Sequence, residues 1–213
     1  MKPILWIVAG PNGAGKTTLV SREPVASVLP KVAFWNPDDL AKKILVERGF
    51  VEFASAPADQ LRRAFIDAAN TTFANLKDCI ARGIACGVET VLSTNKYQEL
   101  VETDLASRGI FGLLYVGLSS PEIACQRVAR RVLEKGHGVP EDKIVARWSR
   151  SLENLPWFAA RASPLFVFDN SVDDPNSSGK LIAEGNAGAI RWHDAGAIPE
   201  LYSALMSLPQ IHE

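Results

Sequence analysis

Residues 10–18 read Gly-Pro-Asn-Gly-Ala-Gly-Lys-Thr-Thr, preceded by the apolar run Ile4-Leu5-Trp6-Ile7-Val8-Ala9. Gly10, Gly15, Lys16 and Thr17 satisfy the phosphate-loop pattern Gly-x-x-x-x-Gly-Lys-Thr. Glycine tolerates positive φ and carries no Cβ, so the backbone can wrap a polyphosphate. Gly10, Pro11, Asn12, Gly13, Ala14, Gly15, Lys16, Thr17 and Thr18 are thus the candidate cradle for a nucleoside triphosphate, with loop amides aimed at its β-phosphate. Lys16 would bring positive charge to the β and γ phosphates, and the Thr17 hydroxyl is a candidate Mg2+ ligand. The pattern is short and turns up by chance, so its setting matters. Ile4–Ala9 leads into it as a buried parallel strand does, and Thr18-Leu19-Val20 continues as a helix. The competing reading is a glycine-rich turn that binds nothing.

Outward from this motif, strand signals alternate with helical ones. Further strands are expected at Val32–Trp35, Val88–Ser93, Phe111–Val116 and Leu165–Phe168. Leu61, Phe65, Ala68, Phe73, Leu76 and Ile80 trace one stripe of a long helix between the second and third strands. Another helix starts at Ser119-Ser120-Pro121-Glu122, where either serine can cap. Lys180–Glu184 and Ala189–His193 flank Gly185-Asn186-Ala187-Gly188 as a hairpin, and a closing helix is expected over 199–208. The order implies an α/β fold: a mostly parallel five-stranded sheet, helices on both faces, and a small C-terminal hairpin. In such sheets ligands bind beyond the carboxyl ends of the strands.

The 213 residues suit one domain, 1–213, with a lid at about 127–150 and a C-terminal extension at about 171–213. An apolar share of 47% supports a full core. A net charge of −1 gives no bulk electrostatic drive toward nucleic acid or anionic membrane. No stretch is long and apolar enough for a bilayer span. Cys79, Cys86 and Cys125 lack metal spacing and read as buried thiols. A reducing cytoplasm, rich in nucleoside triphosphate, fits these features.

Polar residues gather at the predicted strand ends. Asp38, in Asn36-Pro37-Asp38-Asp39, could accept the proton of a substrate hydroxyl as it attacks a γ-phosphate. Asp39 is its rival, and a helix N-cap is the structural alternative. Glu89 lies within the third strand, where an unpaired charge costs several kcal/mol, about the price of an unsatisfied buried ion. It therefore contacts substrate or Mg2+, or forms a salt bridge. Arg127, Arg130 and Arg131 precede Lys135-Gly136-His137-Gly138, and Lys143, Arg147 and Arg150 follow. That is the composition of a lid carrying guanidinium groups to a transferring phosphoryl group. A solvated helical hairpin paired with Glu134, Glu141 and Asp142 is the alternative. Asp169-Asn170-Ser171 either reaches a nucleobase or ends the fifth strand. Trp35 could stack on a substrate. Asn95-Lys96-Tyr97-Gln98 fails the guanine motif at its last position, which argues against a GTPase switch.

Taken together, these motifs resemble the zeta-toxin family of P-loop kinases. The resemblance rests on residues 10–18, Phe34–Ala41, Val88–Ser93, Arg127–Val132 with Gly136–Pro140, Ile144–Arg147 and Arg150–Leu155. It implies ATP-dependent phosphorylation of a small hydroxyl-bearing substrate; in the best-known members this is a UDP-activated amino sugar, and an antitoxin protein blocks the ATP site. By matching positions, Lys16 and Thr17 would hold ATP and Mg2+, Asp38 would be the base, and Glu89 and Thr90 would touch substrate. Arg131 and Arg147 would stabilise the γ-phosphate, with Arg130 and Arg150 as rivals in register. Toxins proper tend to carry Asp-x-Asp where this chain reads Asn36-Pro37-Asp38. The rival functions are an antibiotic kinase of the chloramphenicol-phosphotransferase type and a nucleotide-gated binding protein or slow ATPase.

Overall fold

The computed structural model describes residues 2–51, 53–105, 109–133, 138–174 and 178–211. Its centre is β1, Ile4–Ala9, nearly all buried. β1 pairs in parallel with β3 (Cys86–Thr90) on one side and β4 (Ile110–Gly117) on the other. β2 (Ala33–Trp35) and β5 (Leu165–Asp169) extend the parallel sheet outward. The expected hairpin, β6 (Lys180–Asn186) and β7 (Ala189–Trp192), is not a separate appendage. It joins the sheet edge antiparallel to β5, giving seven strands in the order β2-β3-β1-β4-β5-β6-β7. The sequence counted five strands because nothing in the hairpin's own pattern says whether β6 pairs with β5. Beyond β7 the chain's own tail closes the edge, with Ile190 bridged to Gln210.

Alternating side chains of β1 feed two cores. Leu5 and Ile7 pack with Leu76 and Ile80 of α4 (Ala58–Ala81), Phe158 of α6 (Glu141–Ala159) and Leu201 of α7 (Pro199–Leu205). Trp6 and Val8 face Leu19 of α1 (Lys16–Leu19), Val25 of α2 (Val25–Val28) and Val128 of α5 (Pro121–Leu133). This two-sided burial is why β1 reads as a continuous apolar run. On α4 the buried stripe is Ala64, Ala68, Thr72, Leu76 and Ile80, with Leu61, Phe65 and Phe73 half-buried beside it. The large side chains drew the sequence pattern to the edge of the stripe. Toward the C-terminal end of α4 the stripe turns large, and Leu76 and Ile80 there join the core under β1.

The loop between β1 and α1 crosses directly over β4. A Cβ built on Gly10 would lie 2.2 Å from the Val116 carbonyl oxygen, and the Gly10 φ is 146°. The obstacle is backbone, so it cannot rotate away. Gly10→Ala should therefore cost about 2–3 kcal/mol and lower the melting temperature by roughly 5–10 °C. Calorimetry checks this; an unchanged melting temperature would mean the loop clears β4 in solution.

Candidate active site

The glycine loop sits where the sequence puts it, at the carboxyl end of the central strand. α1 is a single turn, Lys16–Leu19, with Val20 as its C-cap. A one-turn helix carries little macrodipole, so anion affinity here rests on local amides. Those of Gly13, Gly15, Lys16 and Thr17 have no acceptor among the described residues, whereas the Ala14, Thr18 and Leu19 amides bond to Pro11 and Gly15 carbonyls. Gly15 caps α1 at φ 79°, and a Cβ there would lie 2.7 Å from Asn170 Nδ2. Four unsatisfied donors on a turn that excludes side chains match the needs of a polyphosphate. Lys16 Nζ donates to the Gly10 and Pro11 carbonyls at 2.8 and 3.0 Å. Burial of this ammonium lowers its pKa to about 8, against the opposing pull of Glu89 and Asp38.

Glu89 lies beside β1 in register with Val8 and is buried. Its Oε2 accepts from the Thr17 hydroxyl at 2.8 Å and from Asn36 Nδ2 at 3.3 Å. No arginine or lysine pairs with it among the described residues, so the salt-bridge alternative does not hold. Burial pushes its carboxyl above the usual range, while the Thr17 bond and the Lys16 charge pull the other way. Asn36 also N-caps α3 (Pro37–Glu47), its side chain accepting from the Asp38 amide at 2.9 Å. The cap is thus Asn36, not Asp38 or Asp39, both of which are exposed in the first turn of α3. The two aspartates differ in what they reach. Asp38 acts on Lys16, and both act on Glu89. The Thr90 hydroxyl accepts from the Leu92 amide at 3.2 Å, and Trp35 is half-buried against the core.

The arginines separate into different roles. Arg131, exposed near the end of α5, is close enough to the loop to act on the Lys16 ammonium. Arg130 forks onto Asp173 at 2.8 and 3.0 Å, on the outer surface. Arg127 is mostly buried and reaches the Gly13 carbonyl at 3.4 Å and the Val172 carbonyl at 2.8 Å. It braces the loop and does not point past it. Arg147 is half-buried on α6 and makes no hydrogen bond or ion pair among the described residues; Arg150 is exposed. The turn 134–137, including the Gly136-His137 part of the expected hinge, lies outside the described residues.

No family model matches the chain. An uncharacterised protein of Haemophilus influenzae is 26% identical over 151 residues, spanning 68% of this chain and 96% of its own. Among solved structures, a candidate kinase of Chloroflexus aurantiacus is similar at TM-score 0.55 and 17% identity, over 84% of this chain and 94% of that one. The PezAT chromosomal toxin–antitoxin system of Streptococcus pneumoniae is similar at TM-score 0.62 and 12% identity, over 86% and 72%. The AvrRxo1-ORF1:ORF2 complex with ATP is similar at TM-score 0.61 and 16% identity, over 97% of this chain and 64% of that one. The chain has the fold of a zeta-toxin-like P-loop kinase. In this P-loop kinase fold, sequence reasoning undervalued Asn170. It is buried, and its Nδ2 donates to the Ala14 carbonyl at 2.9 Å. Ser171 Oγ accepts from the Ser119 amide at 2.8 Å and donates to Asp169. The end of β5 therefore ties the loop to the sheet. The available signal was a polar triplet directly after a buried strand.

Proposed function

We propose that this chain is an ATP-dependent phosphotransferase that moves the γ-phosphoryl group of ATP to a hydroxyl of a small molecule. The Thr17–Glu89 bond is the observation that carries this reading. A loop hydroxyl backed by a buried carboxylate is a pair of hard oxygen donors suited to Mg2+. Bound there, Mg2+ would neutralise charge on the β and γ oxygens. Glu89 then belongs to the metal side of the site, one of the roles its sequence position left open, rather than to the substrate contact that the resemblance implies. The loop amides bind the phosphates, and Lys16 exchanges its two carbonyl partners for phosphate oxygens. Asp38 takes the proton of the acceptor hydroxyl. The acceptor oxygen bonds to the γ-phosphorus, the bond to the bridging oxygen breaks, and ADP leaves. Arg131 and Arg147 offset the charge on the equatorial oxygens and help exclude water.

A UDP-amino sugar is the acceptor class that the family resemblance implies. A partner antitoxin and a cytoplasmic setting belong to the same proposal. Their support is that PezAT and AvrRxo1 are each described with a second component. The deciding assay incubates pure protein with labelled ATP, Mg2+ and either a UDP-amino sugar or a pool of cytosolic metabolites. A labelled product other than phosphate is expected. Free phosphate alone would identify a slow ATPase, and no turnover or nucleotide binding would overturn the proposal.

The lowered Lys16 pKa gives the site a pH signature. Below about 8 the ammonium is already charged and binding takes up no proton. Phosphate charges would restore its pKa, so above pH 8 binding requires protonation. Affinity for ATP in EDTA should hold up to about pH 8 and then fall nearly tenfold per pH unit. Calorimetry in buffers of different ionisation heat reads this directly; a flat profile from pH 7 to 10 would contradict it.

A further inference from the structure

α6 leaves one core and enters the other. Ile144, in its first turn, packs with Val128 and Leu114, whereas Leu155, Phe158 and Ala159 pack with Leu5 and Ile7. Between these points the helix passes the carboxyl edge of the sheet. Two polar contacts pin it there. The Tyr115 hydroxyl and Ser151 Oγ lie 2.9 Å apart, both residues fully buried. One turn on, Asn154 Nδ2 donates to the Leu92 carbonyl at 3.0 Å and to the Arg150 carbonyl at 2.9 Å.

Leu92 is an unusual anchor. It is buried, and its φ of 61° lies in the left-handed region. A bulky residue holds that conformation only where its surroundings over-determine it. Here the Leu92 amide donates to Thr90 Oγ1 and its carbonyl accepts from Asn154. Thr90 is the residue after Glu89, which holds the Thr17 hydroxyl. A continuous path thus runs from the phosphate loop through the end of β3 to α6.

Asn154, Arg150 and Arg147 stand at i, i−4 and i−7, on one helix face within about 60° of each other. α6 descends toward the start of β5, so Arg147 lies outward from Asn154, beyond the strand ends, by about 10 Å along the axis. We propose that Asn154 is a positioning residue: its amide ties α6 to the left-handed turn at Leu92 and so sets the reach of Arg147 over the phosphate loop. This rests on the phosphotransferase reading above.

The test uses ATP, Mg2+ and water as acceptor, with Asn154→Asp, Arg147→Ala and the double variant. Asn154→Asp keeps the shape but loses the donor. It should lower kcat about tenfold to a hundredfold with KM for ATP within about twofold, the cost of misplacing a group by an ångström. In the Arg147→Ala background the same change should have almost no further effect. Equal losses in both backgrounds, or an unchanged kcat, would overturn the proposal. Hydrogen exchange provides an arm independent of turnover. Amides at 145–150 should lose protection in Asn154→Asp while those at 155 and 157–159 keep theirs; identical exchange in both proteins would also overturn it. If the aspartate disturbs folding, the neutral and too short Asn154→Ser takes its place in both arms. A parent protein that neither binds nor turns over ATP would contradict the phosphotransferase reading, while the exchange arm would still decide the anchoring of α6.

Discussion

Lys16→Ala should reduce ATP turnover by about 10³-fold. The side chain supplies the only lysine charge within residues 10–18. Arg127 is committed to the Gly13 and Val172 carbonyls, and Arg130 to Asp173. The change also removes two part-buried hydrogen bonds, to the Gly10 and Pro11 carbonyls, which should cost about 1 kcal/mol each. A steady-state assay alongside a melting curve reads the effect. Near-normal turnover in a folded Lys16→Ala protein would remove the phosphate loop from the mechanism.

Asp38→Asn should cut phosphotransfer by about 10²–10⁴, the range for a lost general base, while ATP still binds. The helix should survive, since its cap is Asn36 and the Asp38 contact to that cap runs through the main-chain amide. Asp39→Asn is the matched control: it occupies the same first turn but does not act on Lys16. Rate measurements with a saturating acceptor separate the two. A larger loss at Asp39 would shift the base by one residue, and equal small losses would leave the acceptor hydroxyl without a base from α3.

Much of this arrangement was legible before any coordinates. The β1 boundaries follow from an unbroken apolar run ending at a glycine, and the parallel sheet follows from the alternation of elements. The third strand, expected at Val88–Ser93, starts two residues earlier and ends three residues earlier, because Val91 and Leu92 look like strand residues. Only the left-handed turn at Leu92, a tertiary effect, ends it at Thr90. The role of Asn36 was hidden for a similar reason. Its capping is local, but its second bond, to Glu89, joins residues 53 positions apart. An aspartate at that position, as toxins proper tend to carry, would face Glu89 as a like charge; asparagine donates instead. The arginines were recognised as a group. Their division into a brace (Arg127), a surface pair (Arg130) and a cation near the loop (Arg131) depends on where the β5 end folds back, which spacing along the chain does not encode.

The most direct test is a crystal structure of the protein with magnesium and a non-hydrolysable ATP analogue. Triphosphate density is expected inside the 10–18 turn, with Lys16 released from the Gly10 and Pro11 carbonyls and the metal beside Thr17 and Glu89. A glycine turn without nucleotide at saturating analogue, or nucleotide bound elsewhere on the molecule, would contradict the account.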